Sequence, residues 1–457
     1  MADAQDEREL LGRIRALLDR GDEAEAHALL TGLHPSDLAD LLEGLDDDER
    51  MRVLVSLADE PALAAEALAE MEPDEHPEDS LAALGSEQMA DIIAELADDD
   101  AADIIGDMDP DDQVRALAAL SRADAGEIRE LMGYDEESAG GIMTTELVAV
   151  PNSLTAAQTI DEVRRQAQEV SEIYVVFVVD ATGLLEGYLP LQTLVTAPPD
   201  APVDQLVLPP VAAVLPGTPQ NEVARVLSRY NLSVVPVVDE FGRLLGGVTF
   251  DDVIDVVEDE ATRDILALGG TSEDEELRGG WWAAVRTRFP WLLLNLATAF
   301  LAAAVYTPFR GTLEKLPLIA AWTTIVAGMG GNGASQALAV TVRRLALQGA
   351  AAGGRSGIVT KELLVGFANG IGNGLVAGTI AALFATYWMH AGPMLGVVVM
   401  AAMWGNLVIA GVAGGLVPLV LEKLGIDPAI SSSVVVTTFT DMGGFFLTLY
   451  LATVMLL

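Results

Sequence analysis

The sequence predicts a multi-domain chain: an all-α superhelical N-terminal domain, an α/β pair of repeats, a linking amphipathic helix, and an all-α membrane domain of five helices. Three observations predict it: the way charge is divided along the chain, long uncharged stretches, and two internal repeats. The 457 residues carry a net charge of −44, yet their mean hydropathy is +0.37. After residue 280, nine Lys and Arg stand against five acids, a balance of +4; residues 1–280 hold 16 Lys and Arg against 64 Asp and Glu, a balance of −48. An acidic water-soluble part is therefore joined to an apolar, slightly basic one.

This composition excludes several classes. Phosphate binding needs a basic surface, so nucleic acid is not an expected partner. With no Cys there is neither a disulfide framework nor a thiolate site. His27, His34, His76 and His390 form no pair at ligand spacing, which argues against zinc. The polar, charged start of the sequence does not read as a cleavable signal.

In the apolar part, residues 289–309, 316–342 and 363–421 are uncharged, the last run being broken near 390–393 by His-Ala-Gly-Pro. Residues 428–440 and 442–457 follow, separated by Asp441. A spanning helix needs ~20 apolar residues. Five spans result, at about 289–309, 316–342, 363–389, 394–421 and 430–455 within a domain at 281–457. Arg286, Arg288, Arg343, Arg344, Arg355, Lys361 and Lys423 flank one side, and only Arg310 and Lys315 the other. The acidic part is then expected in the cytoplasm and the C-terminus outside, in a cell membrane (inner or plasma). Gly366, Gly370, Gly374 and Gly378 form one stripe, which suits close helix packing in lipid.

Asp441 is the acid well inside a span, and an intramembrane carboxylate costs roughly 3 kcal/mol or more. No basic residue lies mid-span to pair with it, which favours a cation path over a structural role. Asn332 and Gln336 share a face within Gly328-Met-Gly-Gly-Asn-Gly-Ala-Ser-Gln336, where glycines can expose backbone carbonyls to a cavity. Asn369, Asn373 and Asn406 are further amides in the spans. Oxygen donors of these kinds suit a hard cation such as Mg²⁺ or Ca²⁺.

Residues 1–133 read as short amphipathic helices stacked in a superhelix. Leu33-His-Pro-Ser-Asp-Leu-Ala-Asp40-Leu-Leu matches Leu84-Gly-Ser-Glu-Gln-Met-Ala-Asp91-Ile-Ile, and Ala-Asp-Ile-Ile recurs at 102–105. Asp and Ser before the helices read as caps, Asp98, Asp99 and Asp100 among them. Residues 134–252 hold two copies, at about 138–197 and 203–252, of helix, strand, Asp-x-x-Gly turn, strand, helix. Val178-Val-Asp180-Ala-Thr-Gly183 in the first copy answers Val237-Val-Asp239-Glu-Phe-Gly242 in the second. An acidic helix, part of a 253–280 connector, follows with Asp252, Asp255 and Asp259 on one face. Its acids repel each other unless a cation or base offsets them, although a solvated face would read the same.

Taken together these pieces resemble the MgtE family of magnesium channels over nearly the whole chain. The residues that carry the resemblance are 138–151 (SAGGIMTTELVAVP), 174–191, 232–265, Gly-Gly-Asn-Gly-Ala-Ser-Gln at 330–336, and Thr-Thr-Phe-Thr-Asp-Met-Gly-Gly-Phe-Phe at 437–446. The resemblance implies CBS domains for the paired repeats and a homodimer with the pore on its two-fold axis. It implies Asp441 as the pore Mg²⁺ ligand and Asn332 as a lining residue. It further implies a plug formed by the acidic helix, closed by Mg²⁺ at Asp99, Asp103, Asp252, Asp255, Glu260 and Asp264, with Asp427 as a further acidic position. The sequence departs from the family at Ala334-Ser335, at Asn221 and Asn231 in place of sensor acids, and at Arg263 in the plug. The first repeat ends Pro190-Leu-Gln-Thr193, without the Asp that grips a ribose, whereas the second keeps it in Thr249-Phe-Asp-Asp252. These departures point to weaker Mg²⁺ gating and argue against ATP or another adenosine nucleotide as a ligand.

The expected function is a self-gated, Mg²⁺-selective channel importing Mg²⁺ and having no enzymatic activity. The rival readings are transport of another divalent cation (Co²⁺, Mn²⁺ or Ca²⁺) and a membrane-anchored nucleotide sensor.

Overall fold

The structure is a computed structural model that describes residues 3–122, 124–167, 170, 173–269, 271, 281–348, 355–388, 390, 392–426 and 428–457. It divides into two units, 1–260 and 261–457.

The first unit begins with ten short α-helices: α1 (Asp3–Arg20), α2 (Glu23–Leu30), α3 (Pro35–Glu43), α4 (Asp47–Ser56), α5 (Pro61–Ala69), α6 (Pro77–Ala82), α7 (Ser86–Ile93), α8 (Asp98–Asp107), α9 (Pro110–Ala119) and α10 (Asp124–Leu131). The sequence repeat falls on α3 and α7, which bury Leu38, Leu41 and Leu42 in one copy and Met89, Ile92 and Ile93 in the other. Proline begins α3, α5, α6 and α9, where its missing N–H costs nothing. The expected caps hold at α4, where Asp46 and Glu49 make a reciprocal capping box. They do not hold at α8: Ala97 precedes the helix, and Asp98, Asp99 and Asp100 occupy its first turn. There they act on the helix dipole, which favours anions at that end. Buried Arg50 donates to the carbonyls of Leu42 and Glu75 (3.1 and 2.7 Å) and pairs with the Glu75 carboxylate at 3.3 Å.

The α/β part follows as β1 (Ala149–Pro151), α11 (Ala156–Gln166), β2 (Val176–Val179), β3 (Leu185–Leu189), α12 (Leu191–Thr196), α13 (Gln220–Tyr230), β4 (Val234–Val238) and β5 (Leu244–Thr249). β1 is parallel to β2, β2 is antiparallel to β3, and β4 is antiparallel to β5. Both hairpins carry the same irregularity, at Val178/Val179 and at Val237/Val238. Their turns have the same chemistry. The Asp180 carboxylate accepts from the Thr182 and Leu184 N–H groups, and Asp239 from those of Phe241 and Arg243. Gly183 and Gly242 take φ of +82° and +84°, a conformation that side chains disfavour. The two turns then pair, Leu185 N–H to the Gly242 carbonyl and Leu244 N–H to that of Gly183. Directly after β5 comes α14 (Phe250–Gly269).

The second unit contains α15 (Trp281–Ala303), a 3₁₀ turn (Ala304–Phe309), α16 (Arg310–Lys315), α17 (Ile319–Gln348), α18 (Arg355–Tyr387), α19 (Met394–Lys423) and α20 (Pro428–Leu456). The helix of the first span starts eight residues before the uncharged run, because Arg286 and Arg288 are good helix formers that charge alone does not exclude. Among the described residues, stretches in four of the five long helices are long and apolar enough to cross a membrane, at Trp281–Lys315, Gly357–Tyr387, Met394–Lys423 and Ser433–Leu456. α17 is also long, 30 residues, but Asn332, Ser335, Gln336 and the glycines around them lower its hydropathy.

The glycine stripe of α18 faces α19. A Cβ on Gly366 would lie 2.4 Å from the Leu407 carbonyl oxygen, one on Gly374 2.8 Å from that of Met400, and one on Gly378 2.6 Å from that of Gly396. These are backbone approaches that no side chain can relieve, whereas a Cβ on Gly372 meets nothing within 4 Å. Gly366→Leu is therefore expected to destabilise the membrane unit by at least the ~1–3 kcal/mol of an overpacked core, and Gly372→Leu to be tolerated. Melting curves of the two purified variants in detergent test the contrast; equal melting temperatures would refute it.

Candidate functional site

The acids of the first unit converge from three places in the sequence. α8 supplies Asp98, Asp99 and Asp100 from its first turn, the loop before β1 supplies Glu146, and the start of α14 supplies Asp251 and Asp252. A cavity of about 120 Å³ is lined by Asp99, Thr144, Glu146, Tyr174, Thr249, Asp251 and Asp252, among others. Asp252 is held by Thr249, whose hydroxyl and N–H both donate to its carboxylate. Tyr174 donates to Asp251 at 3.2 Å and packs edge-on against Phe250. Thr145 donates to Asp98. Asp99 Oδ1 is buried with no hydrogen-bond partner among the described residues. A carboxylate oxygen left so is costly unless a cation or proton joins it.

The electrostatics agree. Burial pushes Asp99 well above the ordinary carboxylate range, and repulsion from Asp100 and Asp252 adds to it. Asp100 is pushed up to about 7, first by burial and then by Asp252, Glu70, Asp251 and Asp255. Asp103 keeps one side open to solvent, yet burial on the other is the largest cause raising it to about 7, followed by Asp100. Glu146 rises to about 8 through burial and then through its hydrogen bond to Asp98. Burial also raises Asp252, although the bond from Thr249 opposes this. All these donors are oxygens, so the set fits a hard divalent cation, which would offset the repulsion and satisfy Asp99 Oδ1.

Of the expected residues, Asp99, Asp103, Asp252 and Asp255 thus act on one electrostatic neighbourhood. Glu260 lies apart, exposed and accepting a bond from Asn221 at 3.2 Å. The side chain of Asp264 and the whole of Asp427 lie outside the described residues. Sequence reasoning missed Asp100, Asp251 and Glu146 as members of the cluster. Asp100 was legible as part of an acidic run; nothing in the Thr-Thr-Glu context of Glu146 announces its neighbours.

In the second unit, Asp441 is half-buried on α20, and Asn332 is exposed on α17 along a polar face with Thr324, Ser335 and Gln336. The two helices touch closely where a Cβ on Gly444 would lie 3.0 Å from the Ala327 Cα. Beside Asp441, Tyr306 and Phe445 pack with ring centres 4.9 Å apart.

The raised values carry a sign. Folding makes these acids bind protons more readily, so their contribution to stability is complete below the unfolded carboxylate range near ~4. It is lost as pH rises through about 7 to 8. With divalent cations chelated, the melting temperature of residues 1–260 is expected to fall between pH 5 and pH 8, by roughly 3 °C for each ~1 kcal/mol lost. Glu146→Gln should flatten that slope. A melting temperature that climbs over this interval would contradict the assignment.

Comparison with known proteins places these features. Residues 33–137 match the MgtE intracellular N domain, residues 203–259 the CBS domain, and residues 323–451 the MgtE family described as a divalent cation transporter. The magnesium transporter MgtE of Thermus thermophilus is 33% identical over 455 residues, which cover 98% of this chain and 99% of that protein. That of Enterococcus faecalis is 34% identical over 319 residues, 70% of this chain and 69% of that protein. A crystal structure of the cytosolic domain of the Mg²⁺ channel MgtE in complex with ATP is 37% identical, with a TM-score of 0.51, covering 54% of this chain and 99% of that one. With these family models matched along the chain and a magnesium transporter similar to it over nearly the whole length of both, the chain belongs to the MgtE family.

Proposed function

We propose that the chain transports Mg²⁺ across the cell membrane as a homodimeric, self-gated channel, importing the ion and closing when cytoplasmic Mg²⁺ is plentiful. The single observation that carries the gating is the buried, partnerless Asp99 Oδ1 within a cluster of acids from α8, the Glu146 loop and α14. Asp99, Asp103, Asp252 and Asp255 are the residues that would hold regulatory Mg²⁺, with Asp100 and Glu146 beside them; Glu260, Asp264 and Asp427 are proposed as outer acids of the same control. Bound Mg²⁺ offsets their repulsion and favours the closed arrangement; depletion restores the repulsion and favours the open one, a two-state equilibrium biased by ligand. The acidic helix α14 is the plug in this scheme.

Asp441 is the proposed pore ligand and the polar face of α17, with Asn332, the proposed lining. Such a face, exposed on a single chain, suits a water-filled path closed by a second copy. The Lys and Arg bias supports N-terminal domains in the cytoplasm and a C-terminus outside. Oxygen-only donors favour Mg²⁺ over softer ions such as Co²⁺. A second reading, ATP as a modulator, is favoured by the related cytosolic domain solved with ATP; thermal shift with ATP tests it.

Two outcomes check the main reading. The wild-type gene should rescue a strain that requires high external Mg²⁺, and Asp441→Ala should reduce that rescue at least tenfold in plating efficiency; equal rescue would remove Asp441 from the pore. Proteolysis of residues 1–260 in the purified chain should slow severalfold as Mg²⁺ is added, and Asp99→Ala with Asp252→Ala should need severalfold more Mg²⁺ for the same protection. Cleavage indifferent to Mg²⁺ in the wild type would end the gating proposal.

A further inference from the structure

Asn406 on α19 is fully buried, with relative exposure 0%. Its Nδ2 donates to the backbone carbonyl of Val326 on α17 at 2.9 Å. Its Oδ1 is buried and has no hydrogen-bond partner among the described residues. Three glycines make room for this amide. A Cβ on Gly330 would lie 2.1 Å from Nδ2, one on Gly444 2.8 Å from Nδ2, and one on Gly443 3.1 Å from Oδ1. Gly330 opens the Gly-Gly-Asn sequence that carries Asn332; Gly443 and Gly444 follow Asp441 by two and three residues. The glycines of both pore motifs thus surround one side chain from a third helix.

We infer that Asn406 is a positioning residue that sets the spacing and rotation of α17 against α20, and so the placement of Asn332 and Asp441 toward the permeating ion. A primary amide inside a lipid-embedded bundle is retained at a desolvation cost, and here half of that cost is not offset, since Oδ1 is left without a donor. An apolar side chain such as Leu would carry no polar penalty. What the amide adds is a directed bond to one carbonyl of α17 while its planar, narrow head fits between the backbone of Gly330 and that of Gly443 and Gly444. A branched side chain would push the two helices apart. The inference rests on the pore reading of Asp441.

The test is ion flux through the full-length chain reconstituted in liposomes, measured per folded protein for Mg²⁺ and for Ca²⁺. Asn406→Leu and Gly330→Ala disturb the same junction from opposite sides. Each is expected to lower Mg²⁺ flux at least tenfold and to move the Mg²⁺ to Ca²⁺ flux ratio at least threefold. Gly378→Ala, a close contact at the α18–α19 crossing, is expected to lower the melting temperature without moving that ratio. The ratio does not depend on how many molecules are active, so loss of stability alone does not change it. An unchanged ratio in folded Asn406→Leu or Gly330→Ala would overturn the inference. So would failure of both to assemble while Gly378→Ala assembles, since Asn406 would then be a residue of folding. Asp441→Asn separates the two readings: if it abolishes flux while Asn406→Leu behaves as wild type, only the positioning role falls; if it transports as wild type, the pore reading falls.

Discussion

Carboxylates drawn from α8, the loop before β1 and the start of α14 are gathered around a cavity of about 120 Å³, where burial first and their mutual repulsion second make them hold protons more tightly. Several elements of the first unit bring those acids together. The apolar faces of the short helices fix α8. The paired Asp-x-x-Gly turns lock the two hairpins into one body, and β5 delivers Thr249 and Asp252 at the head of α14. An arrangement with this much like charge is poised: a proton or a divalent cation stabilises it, and removal of either loosens it. That property is what the proposed sensing role would use, and it comes from packing opposed by electrostatics.

The second unit solves a different problem. Without water to drive association, its helices gain from close backbone contact and a few internal polar bonds. The glycines of α18 against α19 provide the first, the amide of Asn406 the second. The outward polar face of α17 and the half-buried Asp441 stand out against this background because nothing in the packing requires them. The division of charge, −48 in residues 1–280 and +4 beyond, follows from the two solvents the chain meets. A small part of the acid content forms the cluster, and many of the other described acids are exposed.

Much of the fold was legible because its signals are local. Uncharged runs read as spans because lipid leaves no other partner for backbone groups than the helix itself. The Asp-x-x-Gly turns were legible because a carboxylate accepting two N–H groups and a glycine at positive φ both need fixed neighbours. The glycine stripe was legible as a contact surface but not as to its partner, α19. The first membrane helix begins before the uncharged run, since charge marks where lipid ends and not where helical hydrogen bonding ends. At α8 the acids read as caps lie one to three residues past the cap, in the first turn, a difference of position that the sequence run itself does not encode.

For the site, the sequence by itself determined the residue types: acids on one face of α14, an acidic first turn on α8, a lone carboxylate and a polar stripe in the membrane. Periodicity fixes which residues share a face of one element, because bond geometry repeats along the chain. It does not say which face meets which. That Glu146 and Asp100 join Asp252, that Glu260 turns instead to Asn221, and that Asn406 sits among the glycines of two other helices was decided by tertiary structure alone. Those contacts join segments tens to more than a hundred residues apart, and their energies depend on the shape of the space left between elements once all of them have packed.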